Sequence, residues 1–405
     1  MKNTDSQTTD GAFQLKLSLF YVVLFLSVGC YLPYFSIWLK SQGLNGDQSS
    51  IILAAPMIIR IIFTPIVSIW ADYEGNYRKI LIILALGSLL SLCFMSQING
   101  FWAIFIIASI NAVFGSSLIP LTETMAVIGV KINQLRYGRA RSWGSAAFIA
   151  GSLLTGVLVD IYGPDIILPF LIFAAIGIVC AAFYLPPPQG KGRLRDAVSG
   201  GKISWDGVFG LLRHPVFWVF LIGTGLGQAC HAFYYGFSSR LWQDFGYSGW
   251  LIGVLWTIGV VSEILLFMYL GDFLRRFNPV YLIIVGAFAA CLRWLFMGIE
   301  PDLWVVIFLQ ILHAFSFGLA HLGAMYFIGM AVPDRLSATA QGVYSTISMG
   351  VFMGIAVLIS GPLYDAVGSS GYFVMAAIAG ASVLISLYLL AAWNEGKVVE
   401  DKLSS

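Results

Sequence analysis

The chain has 405 residues, of which 59% are hydrophobic and only 10% charged, with a net charge of +2 and a mean hydropathy of +0.86. A soluble globular chain carries about 25% charged residues, so this one has too few to cover a water-facing surface. With no long block of like charge, the composition also argues against a disordered chain, a coiled coil or a nucleic-acid-binding protein, and leaves a polytopic membrane protein.

About 20 consecutive apolar residues cross a bilayer as a helix. The sequence offers twelve such stretches, at roughly 15–40, 48–70, 80–97, 101–128, 143–162, 165–185, 216–239, 249–270, 279–298, 303–330, 338–361 and 370–392. None shows the period-two alternation of a membrane β-barrel. The first stretch follows a polar leader, Met1 to Gln14, and no small-residue cleavage site follows it, so it reads as a retained span. The five cysteines (Cys30, Cys93, Cys180, Cys230 and Cys291) fall inside spans without short-range pairing, which suggests neither a disulfide framework nor a zinc site. No cofactor or metal is expected.

The longest polar gap runs from Pro186-Pro187-Pro188 through Arg193, Arg195 and Gly200-Gly201 to His214-Pro215. Proline ends the sixth span, and the glycines and charges read as a linker. The predicted organisation is a six-helix half over 1–187, a cytoplasmic linker over 188–214 and a second half over 215–405. If both termini are cytoplasmic, eighteen of the 22 Lys and Arg lie on the cytoplasmic side. Only Lys40 and Arg240 then lie outside, with Arg60 and Arg293 inside spans. That asymmetry is the positive-inside pattern, and it supports an even span count with both termini on the cytoplasmic side of an inner membrane.

The two halves resemble each other. Gly156-Val157-Leu158-Val159-Asp160-Ile161-Tyr162-Gly163 and Gly361-Pro362-Leu363-Tyr364-Asp365-Ala366-Val367-Gly368 both read G-x-L-x-D-x-x-G, at the ends of the fifth and eleventh spans. Asp72 matches Asp272 after the second and eighth spans, and Phe35-Ser36 matches Phe237-Ser238 near the ends of the first and seventh. Matches at nearly one offset in equivalent positions indicate a duplicated unit. The expected architecture is an all-α membrane protein of 12 transmembrane helices in two pseudo-symmetric six-helix halves, the arrangement of the major facilitator fold.

Ionisable residues inside spans are costly, on the order of 3 kcal/mol or more at mid-bilayer, and are functional candidates by default. Here they are Arg60, Glu123, His231, Glu263, Arg293, His313 and His321, with Arg141 at the start of the fifth span. Glu123 and Arg141 read either as an ion pair tying two helices or as a clamp that accepts hydroxyls and offers a forked donor. Glu263 and Arg293 could pair likewise in the second half. Arg60 has no acidic neighbour in sequence, and three guanidiniums against two carboxylates leave a surplus cation that would attract an anion. Gln228, His231 and Tyr235 form a polar stripe at i, i+3 and i+7. His313 and His321 sit about 80° apart on an ideal helix, and histidine suits a proton relay. Trp38 and Trp242, near span ends, read as interfacial anchors.

Several of these residues carry a resemblance. Gly29-Cys30-Tyr31-Leu32-Pro33-Tyr34-Phe35-Ser36-Ile37-Trp38-Leu39, Glu123 with Arg141, the run Gly138-Arg139-Ala140-Arg141 with Gly144, Arg293 with His313, and Glu263 are similar to lactose permease. His231-Ala232-Phe233-Tyr234-Tyr235-Gly236-Phe237-Ser238, Gly246-Tyr247-Ser248, Gly259-Val260-Val261-Ser262-Glu263, Gln310-Ile311-Leu312-His313 and Arg60 resemble the phenylpropionic acid transporter family of the same superfamily. Three positions depart from lactose permease: Ser316 replaces its proton-carrying Glu, Gln310 its Lys, and Phe148 the Trp that stacks on galactose. The loop signature after the second span is degenerate, with Ser68 and Tyr73 in place of a Gly and a basic residue. A galactoside is therefore not the expected substrate, and the proton site falls to Glu123, Glu263 or His313.

The resemblance implies proton-coupled uptake of a small aromatic carboxylate such as 3-phenylpropionate by alternating access. Arg60 or Arg141 would hold the carboxylate. Phe148, Tyr34 and Tyr235 would contact the ring, with His231 and Glu123 also in the substrate site, and Glu263, Arg293 and His313 would couple the proton. The alternative is a sugar or nucleoside symporter. A membrane enzyme is not expected, because no metal cluster, nucleophile–base motif or sizeable water-exposed domain is present. The expected partners are the substrate, a proton and the lipid bilayer, with the chain acting as a monomer.

Overall fold

The computed structural model describes residues 4–131, 135–186 and 205–398. In the first half run α1 (Thr4–Ser41), α2 (Gly46–Glu74), α3 (Tyr77–Met95), α4 (Phe101–Gly115), α5 (Leu118–Lys131), α6 (Tyr137–Tyr162) and α7 (Ile167–Tyr184). After them come α8 (Trp205–Arg213), α9 (Pro215–Ala229), α10 (Ala232–Asp244), α11 (Gly249–Leu274), α12 (Pro279–Met297) and α13 (Leu303–Ile311). The chain closes with α14 (Ala320–Ala331), α15 (Asp334–Thr346), α16 (Met353–Val367) and α17 (Gly371–Ala392). Among the described residues there is no strand.

Among the described residues, eleven helical stretches are long and apolar enough to cross a membrane. The last, Leu336–Ala392, contains the break at Gly368, whose φ of 56° separates α16 from α17, so it holds both the eleventh and twelfth expected spans. Local chemistry sets the ends. Asn45 accepts from the Gln48 amide at 2.9 Å to start α2, and Gly75 stops it in the left-handed region at φ 64°. Asn76 then accepts from the Lys79 amide at 3.0 Å to open α3. The expected linker is only partly described: residues 187–204 lie outside the described residues, and Trp205–Arg213 is helical.

The chain divides into two compact units, Met1–Gly200 with Trp242–Val254, and Gly201–Leu241 with Leu255–Ser405. The short segment Trp242–Val254 thus packs with the first unit, where the Asp160 carboxylate accepts from the amides of Gly249 (2.5 Å) and Trp250 (2.8 Å). The first unit is centred on Phe20, Tyr21, Leu84, Leu121 and Ile178, all buried. The second is centred on Phe217, Phe220, Ile283, Phe327 and Tyr344. Where helices approach most closely, glycine is required. A Cβ on Gly29 would fall 2.3 Å from the Phe148 carbonyl oxygen, and one on Gly151 2.5 Å from that of Leu26, so α1 and α6 pack backbone to backbone. In the second unit the Ser382 hydroxyl donates to the Gly223 carbonyl at 2.7 Å, tying α17 to α9.

Arg240 departs from its expected place. It is not in an outer loop but inside α10, 1% exposed, with its guanidinium 5.5 Å from the Phe237 ring and 5.8 Å from that of Tyr364. Trp242 is likewise 1% exposed, so it packs in the core instead of anchoring at the interface.

Candidate functional site

Four of the expected spans are interrupted. The fourth breaks between α4 and α5 at Ser116-Ser117, and the seventh between α9 and α10 at Cys230-His231. The tenth and eleventh carry π-helical segments at Ala314–Leu319 and Ile347–Phe352. A π-segment or a break frees backbone groups and re-aims side chains, and such sites recur where function is built. The breaks of the seventh and tenth spans hold His231 and His313, and these two meet in the second unit.

There, Arg293 on α12 is fully buried, 0% exposed. Its Nη1 donates to His313 Nδ1 at 3.2 Å and to Ser316 Oγ at 2.8 Å, and its Nη2 to Gln310 Oε1 at 3.3 Å. The guanidinium carbon lies 4.5 Å from the Trp294 ring centre and 5.2 Å from that of Tyr234. Tyr234 donates to the same Gln310 oxygen at 2.9 Å. His231 Nε2 lies 3.3 Å from Ser316 Oγ, while its Nδ1 lies 3.0 Å from the Gly227 carbonyl.

Donor logic fixes the protons. A guanidinium can only donate and a carbonyl only accept. His231 therefore donates from Nδ1 to Gly227, and as a neutral imidazole it accepts at Nε2 from the Ser316 hydroxyl, whose oxygen in turn accepts from Arg293. His313 accepts from Arg293 at Nδ1, so in this geometry it is neutral and carries its proton on Nε2. That nitrogen is 4.0 Å from Glu263 Oε2. The expected Glu263–Arg293 pair is thus replaced by a chain, Glu263–His313–Arg293, with the imidazole between the two charges. Removing a guanidinium from water costs several kcal/mol. Here that cost is met by neutral acceptors and ring faces: among the described residues, no carboxylate lies at ion-pair distance from Arg293. The buried Nε of Arg293 and Nε2 of Gln310 lack acceptors altogether.

Tyr235 is half-buried beside this group, its ring stacked 5.9 Å from His231 and 6.1 Å from Trp256. His313, Phe317 and His321 stack in one ladder, with ring centres 5.4 and 6.0 Å apart and planes within 5°. The two histidines are therefore nearly in line, not about 80° apart as on an ideal helix, because the π-segment between them turns less per residue than an α-helix.

The first unit builds a different group. Arg141 Nε on α6 lies 3.5 Å from Glu123 Oε1 on α5, and the Tyr137 hydroxyl donates to Glu123 Oε2 at 2.8 Å. The Arg141 guanidinium sits 4.2 Å from the Phe25 ring. Both charged side chains stay about one-third exposed, at 35% and 29%. Arg60 is exposed on α2 and is not among the partners of Glu123. Two of the residues expected to contact the ring are buried. Tyr34 is 0% exposed and its hydroxyl lies within hydrogen-bond distance of the Ser152 (3.0 Å) and Gly249 (2.9 Å) carbonyls, and Phe148 is 6% exposed with its backbone against Gly29.

Sequence reasoning passed over Tyr137, Ser316 and Gln310 as partners. Tyr137 stands four residues before Arg141, and Gln310 and Ser316 three residues either side of His313, so helical spacing carried the signal for all three. Among the described residues, no group of three or more His, Cys, Asp or Glu could hold a metal.

The MFS_1 like family model matches residues 14–375. The chain is 33% identical over 364 residues to the "Probable 3-phenylpropionic acid transporter" of Escherichia coli, covering 90% of this chain and 94% of that protein. It is 26% identical to the maltose permease of Geobacillus stearothermophilus, over 95% of this chain and 96% of the other. Among solved structures, the nucleoside transporter NupG matches with a TM-score of 0.79 at 17% identity, covering 94% of this chain and 98% of that one, a likeness of fold. The chain belongs to the MFS_1-like family and is a multi-pass membrane transporter of the major facilitator fold.

Proposed function

We propose that this transporter is a proton-coupled symporter that takes up a small aromatic carboxylate, 3-phenylpropionate being the model substrate, by alternating access. The observation that carries the reading is Arg293, a buried guanidinium whose partners are all neutral and whose walls are aromatic. An organic anion supplies the directly bonded carboxylate that Arg293 lacks among the described residues, and a ring attached to it suits the surfaces of Tyr235 and Trp256. The name carried by the 33% identical relative supports the same substrate class. Arg141 is already neutralised by Glu123, which makes it the weaker holder of an anion. Arg60, exposed on α2, is the other candidate.

Glu263 carries the transported proton in this reading. The neutral His313 aims its Nε2 proton at that carboxylate, and Arg293 holds the imidazole in this tautomer. Substrate charge at Arg293 and proton charge at Glu263 are then linked through one imidazole, which is the coupling a symporter needs. The cation asymmetry of the loops supports an inner-membrane chain with both termini cytoplasmic, and the chain acts as a monomer. The test is uptake of labelled 3-phenylpropionate into proteoliposomes with and without an inward proton gradient. Accumulation only with the gradient is expected. Equal entry in both conditions, or none, overturns the reading.

A second reading rests on the other group. Glu123, Arg141 and Tyr137 together offer a carboxylate, a fork and a phenol at a partly exposed place, a set that suits a hydroxyl-rich sugar or nucleoside. Competition of uptake by neutral sugars or nucleosides, but not by aromatic acids, would favour it.

A further inference from the structure

We propose that the first unit carries a separate ligand site, a cavity among α1, α3, α4 and α7 that takes an uncharged aromatic molecule bearing a hydrogen-bonding oxygen. The cavity measures about 230 Å³. A cavity of about 150 Å³ lined by apolar side chains holds benzene, so this one accommodates a ring with roughly three further non-hydrogen atoms. Its long wall is apolar, and one side is aromatic, with the Tyr31 and Phe35 rings stacked 4.6 Å apart.

One corner is polar. Ser88 donates to the Asn111 side-chain carbonyl at 2.8 Å, so the group Asn111 can offer a guest is its NH2. Also on the lining, at the break between α4 and α5, the Ser116 hydroxyl is buried without a partner. A hydrocarbon chain in the cavity would leave these donors unpaired, at a cost of about 1–3 kcal/mol for each buried group. A carboxylate would fare worse, because no Lys, Arg or His lines the cavity. A phenol or aromatic ketone satisfies both demands: its ring meets the apolar wall and its oxygen accepts from Asn111 and Ser116. The site is thus distinct in chemistry from the anion site proposed at Arg293, and it stands whether or not that proposal holds.

Gly115 supplies the means of testing it. A Cβ there would meet only the Ser88 hydroxyl, at 4.0 Å, so a larger side chain can enter the cavity without a backbone clash. The experiment is thermal unfolding of the purified full chain in lipid nanodiscs with 4-ethylphenol, decane or 3-phenylpropionate as probes. For the unaltered chain, saturating 4-ethylphenol is expected to raise the melting temperature by about 2–3 °C. Gly115→Leu is expected to fold and to abolish that shift, and Asn111→Leu to abolish it as well. Ala112→Leu serves as a second plug if Gly115→Leu does not fold. No shift in the unaltered chain overturns the proposal, as does a shift that survives both plugs. A larger shift with decane, insensitive to Asn111→Leu, also overturns it and makes the cavity a lipid-chain site.

Discussion

The two polar groups of this molecule use the same residue types in opposite ways. In the first unit, Arg141 is about one-third exposed and meets a carboxylate directly, with Tyr137 completing the set around Glu123. In the second, Arg293 is wholly buried and meets an imidazole, a hydroxyl and an amide, while the nearest acid in the chain of contacts, Glu263, stands one imidazole away. The first arrangement is neutral as it stands. In the second the opposite charges, Glu263 and Arg293, are held apart by the neutral His313, so Arg293 has no carboxylate in direct contact. A partly exposed ion pair is worth about 0–1 kcal/mol, so the first group is a weak tie that can open to a ligand. A buried guanidinium with no carboxylate in direct contact costs several kcal/mol to desolvate, and that feature is the basis of the proposed anion role.

The sharpest way to break this contrast is Arg293→Met. We expect carboxylate uptake to fall at least 100-fold, on the order of 3 kcal/mol. The melting temperature should stay within a few degrees of the unaltered protein, because Ser316 keeps His231 and Gln310 keeps Tyr234 as partners. A large loss of stability would show that Arg293 is structural. Glu263→Gln comes next. Gradient-driven accumulation should drop more than about tenfold while exchange of external for internal substrate persists. Counterflow measurements separate the two, and loss of both would place Glu263 in substrate binding instead.

Ser316→Ala should have a middling effect, about 1–2 kcal/mol for a buried bridge that loses its hydroxyl. Uptake should fall roughly 5- to 30-fold, and Ser316→Thr, which restores the hydroxyl, should recover most of it. The smallest effect on carboxylate uptake belongs to Glu123→Gln. With Tyr137 and Arg141 still able to bond the amide oxygen, uptake should change less than about fivefold and stability by under about 1 kcal/mol. A near-total loss at Glu123 with little effect at Arg293 would invert the comparison and favour a hydroxyl-bearing substrate.

Much of the fold was legible in the sequence because the bilayer imposes a strong pattern. Apolar runs separated by polar turns mark the spans, and α12, expected at 279–298, is found at Pro279–Met297. The breaks were not legible. Hydropathy averages over a window, and the stretches Ser116-Ser117, Cys230-His231 and His313–Leu319 contain no proline and no run of charge that would mark a break. Arg240 illustrates the same limit, since a cation near a span end reads as a loop residue whether or not aromatic faces bury it. At the candidate site, the sequence identified Arg293, His313, Glu263, Glu123 and Arg141 by their cost in a membrane. It marked Ser316 and Gln310 only as departures from lactose permease, not as partners of Arg293, and did not mark Tyr137, because uncharged polar residues are cheap there and carry no such flag. Their importance comes from which donor each one meets, and that depends on the helix breaks.

The central claim is that the second unit recognises a negative charge through Arg293. The most direct measurement is equilibrium binding of 3-phenylpropionate and of its neutral counterpart 3-phenylpropanol to the unaltered chain and to Arg293→Met. The account predicts that the unaltered chain prefers the acid by at least about 100-fold, roughly 3 kcal/mol, and that Arg293→Met loses the preference while still binding the alcohol. A preference for the acid that survives Arg293→Met, or equal binding of acid and alcohol by the unaltered chain, would contradict it.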